Sequence, residues 1–598
     1  MKKLLSITLG FLLSLSVFAQ NSDPRLKGVD KQLEELLGPW SVPGFAVAVV
    51  EKDKIIYAKG FGYRDLENEI PMDENTLLAI GSSSKAFTSA VLGVLRGQEK
   101  VNLDERPGKY IPELRFTEPW MNEQIIIKDL MAHRTGLPRH DYGWYLFPSN
   151  SDEELLSRIA HQKPFTGLRQ QWYYNNWMFF LQGQIGKRIT GNSWEENVQS
   201  MFFDKLGMER SNFSIQDLGK DSNSAKGYET DNNGDNSLLD YYDISAMAPA
   251  GAINSSVNEM ANWLITWING GKFQGEQVIP EPYVKEAMSS HMVVSAGTPS
   301  KEHPDAHFAN YGYGWFLSSY RGHYRVEHGG NIDGFTASAS FFPTDSIGVM
   351  VLVNQNRSST AGNVRNIIAD RMLELDPVDW SAEGLEALKK MKEAAANAEE
   401  DEEESTPGNS KPSHTLDQYL GTFANPGYGA MELTLENDSL FMDTGSYRMY
   451  LEHDNYDTFL SKLIFTEEIR DDFAFKTQFT TDLNGDINGA NIAFEPALDP
   501  ISFKRTPKAV EISEDDLSKY EGSYLILGVQ EAKVYVKDGS LFLFVAGQPE
   551  YEQIPLGNNE FRFKDLDGYK VVFEEKDGEI VALTAVQPNG SFRGEKQE

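Results

Sequence analysis

Residues Gly44–Val50 form an unbroken apolar run, Glu51–Lys54 is polar, and strand character resumes over Ile55–Lys59. This pattern predicts a β-hairpin. Further on, Phe87, Ala90, Val91, Val94 and Leu95 fall at helical spacing, which predicts a helix starting near Ser82. A second helical stretch ends at Thr190-Gly191, and residues Thr336–Phe342 alternate as a strand entered through glycines. Trp380–Ala398 is rich in Ala, Lys and Glu and reads as helix. Six acidic residues follow (399–404), then Ser405–Pro412 with two prolines and a glycine. Like charges in a row repel, so 399–412 is expected to be a solvated linker; the run lacks the spacing of a calcium loop.

Beyond the linker the texture changes to short alternating strands with Gly, Asn and Asp turns. Leu416, Tyr419, Gly421 and Phe423 recur as Leu517, Tyr520, Gly522 and Tyr524, and Ser439-Leu440-Phe441 recurs as Ser540-Leu541-Phe542, all at an offset of 101. Seven positions at one offset predict two copies of a β module. Closure into small barrels removes exposed edge strands, so two barrel-like, lipocalin-like modules are expected at 414–506 and 507–598. These modules are expected to be separable, so that the preceding domain folds when residues after Pro412 are removed.

The N-terminus carries Met1-Lys2-Lys3, a Leu-rich apolar run from Leu4 to Phe18, and Val17-Phe18-Ala19 ahead of Gln20. The run is shorter than the ~20 residues a span needs. It reads as a signal peptide over 1–19, implying an exported, periplasmic or secreted bacterial protein with no stable membrane insertion afterwards. The domain plan is then 20–376 for a mixed α/β domain, 377–413 for a helical then acidic linker, and the two β modules.

Composition narrows the chemistry. The 598-residue chain has 89 acidic and 55 basic side chains, a net charge of −34, which disfavours nucleic acid as a partner. With no cysteine there is no disulfide, thiolate nucleophile or Cys-bound metal. His303 and His307 stand four apart, but Pro304 and polar flanks make that segment a loop rather than a metal pair.

Three strings in the first 375 residues carry candidate chemistry. Ser82-Ser83-Ser84-Lys85 opens the predicted helix after Gly81. A serine in a helix's first turn lies near unpaired N–H groups, and a lysine three residues on shares its face. If desolvated, that lysine can take the serine proton. The same string also fits a capping serine followed by a solvated lysine. Tyr174-Asn175-Asn176 precedes the helix ending at Thr190. A tyrosine and an asparagine two apart can point into one cleft, or serve as aromatic packing beside Trp172, Tyr173 and Trp177. His328-Gly329-Gly330-Asn331 leads into the glycine-entered strand. It reads either as a place for close backbone approach by a substrate or as a plain turn.

Together, in this order, Ser-x-x-Lys, Tyr-x-Asn and His-x-Gly resemble the class C β-lactamase-like serine hydrolases, which include penicillin-binding proteins, D-aminopeptidases and esterases. Leu130–Pro138 resembles the family's Leu-Leu-x-His-x-x-Gly-Leu segment, and Pro249-Ala250-Gly251 with Ser255-Ser256 its Pro-x-Gly-x-x-x-Ser segment. The likeness covers about Lys31 to Leu375. The segment from Leu416 to Arg505 resembles a β domain often appended to such hydrolases. Counting back from Thr190-Gly191 selects Tyr174 and Asn176 over the overlapping Tyr173 and Asn175.

The resemblance implies an α+β β-lactamase/transpeptidase-like domain, an antiparallel sheet flanked by helices. It implies Ser82 as nucleophile, Lys85 and Tyr174 sharing the general-base role, and the N–H groups of Ser82 and Asn331 as oxyanion donors. Asn176, His328, Gly329, Gly330 and Asn331 would line the substrate, with no metal and no organic cofactor. His328 stands where the β-lactamases usually carry a lysine that binds the substrate carboxylate, and a neutral imidazole is a weaker anion site. The expected substrate is therefore a small peptide or D-amino-acid amide or ester, ahead of a β-lactam or a D-Ala-D-Ala peptide. The expectation of another class is a protein that binds cell-wall fragments or glycans without turnover. Oligomeric state is not legible.

Overall fold

The computed structural model describes residues 23–597 except 296, 302, 406–409, 466–467 and 567. The expected signal peptide lies outside the described residues. The chain forms two compact units, one built from residues up to Val101 with Thr190–Met391, the other from Asn102–Ile189 with Lys392 onward.

The first unit is organised by a sheet. Its strands are β1 (Gly44–Glu51), β2 (Lys54–Asp65), β3 (Ile70–Pro71), β4 (Met292–Ser295), β5 (Ala309–Tyr311), β6 (Phe316–Tyr320), β7 (His323–Ile332), β8 (Phe335–Phe342) and β9 (Ile347–Val353). They lie in the order β4-β5-β6-β7-β8-β9-β1-β2-β3, and their pairings are antiparallel. The predicted hairpin is β1–β2, turned at Lys52 with φ +58°.

The central strands are apolar on both faces because both are covered. Phe45, Val47 and Val49 share a core with Val349, Val351 and the helix Thr360–Met372. On the opposite face, a Cβ built on Gly348 would sit 2.6 Å from Val50 and 3.2 Å from Ile268, at the end of helix Val257–Ile268. Phe87 of helix Lys85–Gly97 stacks on Trp263 of that helix at 3.7 Å, fixing the helix that follows the Ser82 turn. Helices on both sides of an antiparallel sheet match the expected fold class.

Both predicted β modules are closed eight-stranded barrels with sequential neighbours. The repeat has a structural meaning. Gly421 and Gly522 each open the first strand of a barrel, at φ +137° and +151°, and Tyr419 and Tyr520 are buried just before them.

Two expectations are revised. The helix Trp380–Ser405 runs through the acidic 399–404 segment. Ala, Glu and Lys are strong helix formers, and like-charge pairs cost only ~0.2–0.5 kcal/mol each. The first β module also takes residues from ahead of the linker into its core. Leu146 and Phe147, just past helix Tyr142–Tyr145, belong to the core of the first barrel. Phe147 stacks on Phe503 at 5.9 Å and packs edge-on to Tyr428 and Phe494. Arg158 holds this plug by donating to the carbonyls of Gly143 and Phe147.

Cutting the chain after Pro412 returns Leu146 and Phe147 to water, a loss on the order of 3–6 kcal/mol. The truncated protein is expected to melt at lower temperature than the full chain in calorimetry. A cooperative melt at the full-length temperature would contradict this packing.

Candidate active site

The Ser82 turn is held from both sides. Leu78 and Ala79 pair with Ser255 and Asn254, and the Ile80 amide donates to Ile253 O at 2.9 Å. The chain then enters a 3₁₀ turn, Gly81–Ser84, that feeds the helix Lys85–Gly97. Gly81 has φ +49°. Its three serines are sorted by environment. Ser83 Oγ donates to His328 O at 2.9 Å; Ser84 Oγ donates to Gly81 O at 2.7 Å and accepts from the Ile253 amide. Both are buried, whereas Ser82 is half-buried.

Lys85 is fully buried. Its Nζ lies 3.0 Å from Ser82 Oγ and 2.7 Å from Ala250 O. The 3.0 Å separation is hydrogen-bond distance, so a proton can pass between the two atoms without rearrangement. The solvated-lysine reading is thereby removed. Segment Pro249–Gly251 gains its reason here: Pro249 O accepts from Thr88 Oγ1 at 2.6 Å, and Thr88 in turn accepts from Trp194 Nε1. Ser256 caps the helix Val257–Ile268 through the Glu259 amide.

Strand β7 lies against the turn. A Cβ on Gly330 would fall 1.9 Å from Ile80 O and 3.0 Å from Ser82 N. Only glycine permits that approach. The close neighbour of Gly330 is thus the Ser82 turn itself. Gly329 faces outward, where an added Cβ meets only Ala337 O at 3.4 Å. Asn331 is exposed, and its Oδ1 accepts from Thr336 Oγ1 at 3.0 Å.

His328 points inward and is 2% exposed. Its Nδ1 lies 2.6 Å from Gly329 O, which can only accept, so Nδ1 carries the proton and Nε2 accepts from Tyr311 OH at 2.9 Å. Burial first, and the Lys85 charge second, push its pKa down to about 3. The ring is neutral at working pH. It braces the strand beside Lys85 instead of offering a nitrogen to an anion.

The other expected residues belong to the second unit. Helix Trp177–Thr190 is capped by Asn175, whose Oδ1 accepts from the Met178 amide at 3.2 Å and whose Nδ2 donates to Pro138 O. That commits Asn175 to structure. Tyr174 is half-buried, with the His133 ring at 4.4 Å and the Arg139 guanidinium 5.0 Å from its ring centre. Asn176 Nδ2 donates to Asp141 Oδ1 at 2.9 Å. The segment around His133 serves this site: His133 Nδ1 accepts from the Asn175 amide and His133 O from the Tyr173 amide, both at 3.1 Å. The structure therefore joins Ser82, Lys85 and His328–Asn331 in one unit, and Tyr174 and Asn176 in the other. Tyr311, Arg139 and Asp141 carried no signal in the sequence, because nothing in their local pattern marks their partners.

Among the described residues, no group of three or more His, Asp or Glu is placed to hold a metal ion. No helix among them is long and apolar enough to cross a membrane.

The family model described as Beta-lactamase matches residues 29–371, more than half of the chain. The chain belongs to that family. A domain of unknown function (DUF3471) matches residues 405–505, the first barrel. An Aspergillus violaceofuscus protein named unguisins hydrolase is 26% identical over 441 residues, covering 70% of this chain and 78% of that protein. Protein flp of Staphylococcus aureus is 26% identical over 336 residues, covering 55% of this chain and 63% of that protein. The octameric penicillin-binding protein homologue from Pyrococcus abyssi shares the fold, with TM-score 0.52 and 20% identity over 80% of this chain and all of that one.

Replacing Gly330 by Ala is expected to lower kcat/KM about 100-fold, because the added methyl must push β7 off the Ser82 turn. Gly329→Ala is expected to lose much less. Equal losses in the two variants would contradict the contact.

Proposed function

We propose that this Beta-lactamase-family protein is an exported serine hydrolase that cleaves an amide or ester through an acyl-enzyme on Ser82. The observation that carries this is the buried Lys85 Nζ at 3.0 Å from the half-buried Ser82 Oγ. The hydrolase name of the Aspergillus relative supports the reaction class.

In this reading, Ser82 Oγ attacks the substrate carbonyl carbon as its proton passes to Lys85 or Tyr174, the two groups sharing the base role. The carbonyl π pair moves onto oxygen, and the N–H groups of Ser82 and Asn331 take that oxyanion. When the tetrahedral intermediate collapses, the proton goes to the departing amine or alkoxide. A water then attacks the acyl carbon by the same route and releases Ser82. Asn176 orients the substrate.

His328 favours small peptide or D-amino-acid amides and esters over substrates that need a carboxylate anchor. Its neutral, buried ring supplies no cation where β-lactamases carry a lysine. Cleavage of a β-lactam or a D-Ala-D-Ala peptide ranks below it for that reason. The leader-like residues 1–19 support export to the periplasm or medium.

The test is turnover by the mature protein of a short-chain nitrophenyl ester, a D-alanine nitroanilide and a chromogenic cephalosporin, with Ser82→Ala alongside. Turnover of the ester or the D-alanine amide is expected, falling at least about 10³-fold in Ser82→Ala. Retained activity in Ser82→Ala would overturn the mechanism, and turnover of the cephalosporin alone would overturn the substrate class.

A further inference from the structure

The first barrel reaches the loop that holds Tyr174 and Asn176. Glu495, just past strand Ile487–Ile492, is 4% exposed. Its Oε2 accepts the His140 amide at 2.8 Å, and its carboxylate accepts the Tyr173 hydroxyl. Tyr428, in the loop after the barrel's first strand, reaches the same place, with its hydroxyl 2.9 Å from His140 Nδ1. His140 Nε2 lies 3.0 Å from Lys163 O, which can only accept. The Nε2 therefore carries the proton, and Nδ1 accepts from Tyr428. Burial pushes the His140 pKa down to about 4, so the ring is neutral.

The neighbours of His140 reach the two candidate site residues. Arg139 Nε donates to Asp141 Oδ2 at 2.6 Å while its guanidinium stands 5.0 Å from the centre of the Tyr174 ring. Asp141 Oδ1 accepts from Asn176 Nδ2 at 2.9 Å and from Trp144 Nε1 at 3.0 Å. Three consecutive residues thus link a barrel carboxylate to Tyr174 on one side and Asn176 on the other. His140 has φ +49°, in the left-handed region that is uncommon for a non-glycine residue.

Cohesion alone does not require this carboxylate. The apolar plug of Leu146 and Phe147 already joins the loop to the barrel. Burying a carboxylate is costly unless its oxygens are used, and here they accept the backbone amides of His140 and Ala497 and the Tyr173 hydroxyl, two of the three on the far loop. Such bonds fix direction, which an apolar contact does not.

We propose that Glu495, assisted by Tyr428, is a positioning residue of the hydrolase: the first barrel sets the Arg139–Asp141 loop and, through it, the orientation of Tyr174 and Asn176. This rests on the roles given to Tyr174 and Asn176 above. It makes the barrel a working part of the enzyme, not an appended ligand-binding module.

The experiment uses the full chain with Glu495→Ala, Glu495→Gln and Tyr428→Phe. It reads amide exchange at residues 139–141 and 173–176, melting temperature, and kcat and KM on the substrate that the wild type turns over. Glu495→Ala is expected to speed exchange at His140 about tenfold or more and to lower kcat about 10- to 100-fold with KM changed less than about threefold. Glu495→Gln keeps an acceptor oxygen and is expected to stay within about threefold of wild-type kcat. Tyr428→Phe keeps the ring and serves if Glu495→Ala fails to fold; its kcat is expected to fall several-fold with the melt preserved. Unchanged exchange and kcat in Glu495→Ala, a Gln variant as impaired as Ala, or kcat losses that only follow the folded fraction would each overturn the proposal. The exchange readout does not depend on the chemistry. A Ser82→Ala protein as active as wild type would sink the serine reading alone, while exchange at His140 still decides what Glu495 holds.

Discussion

Taking the Lys85 amine out of water costs free energy that only well-placed acceptors return, and the first unit is arranged to supply them. Ala250 O and Ser82 Oγ lie at hydrogen-bond distance from Nζ, and the helix carrying Lys85 is fixed by the Phe87–Trp263 stack. Backbone must also come close on every side. Gly314 approaches the Lys85 carbonyl, where a Cβ would lie 2.9 Å away, and Gly330 lies against the Ile80–Ser82 turn. His328 packs beside Lys85 as a buried, neutral ring.

The second unit applies a different principle. Tyr174 and Asn176 sit on a loop, and loops are soft unless tied down. The ties come from His133 below and from Arg139 and Asp141 beside it. The first barrel contributes apolar packing through the Leu146–Phe147 plug and two directed bonds through Glu495 and Tyr428. Its core is built from its own aromatic and aliphatic side chains together with that plug.

The local parts of this architecture were legible in the sequence. The apolar run and polar turn marked β1 and β2, the 3.6-residue spacing marked the helix after Ser82, and the 101-residue offset marked both barrels. Ser82 and Lys85 were legible because their relation is one helical turn. What escaped is what long range decides. Glu495 meets His140 across 355 residues, and no local pattern marks either as the other's partner. The glycine at 330 pointed to close approach, but only the fold shows that the approaching group is the Ser82 turn. The acidic run was read by its charge, while helix propensity set its backbone.

The central claim is that Ser82, and neither of its neighbours, becomes acylated. Quenching the protein in acid during steady-state turnover, then weighing it intact and mapping its peptides, tests this directly. The account predicts a mass gain equal to the acyl group of the substrate, located on Ser82, with Ser83 and Ser84 unmodified. Turnover without an adduct on Ser82, or an adduct on Ser83 or Ser84, would contradict it.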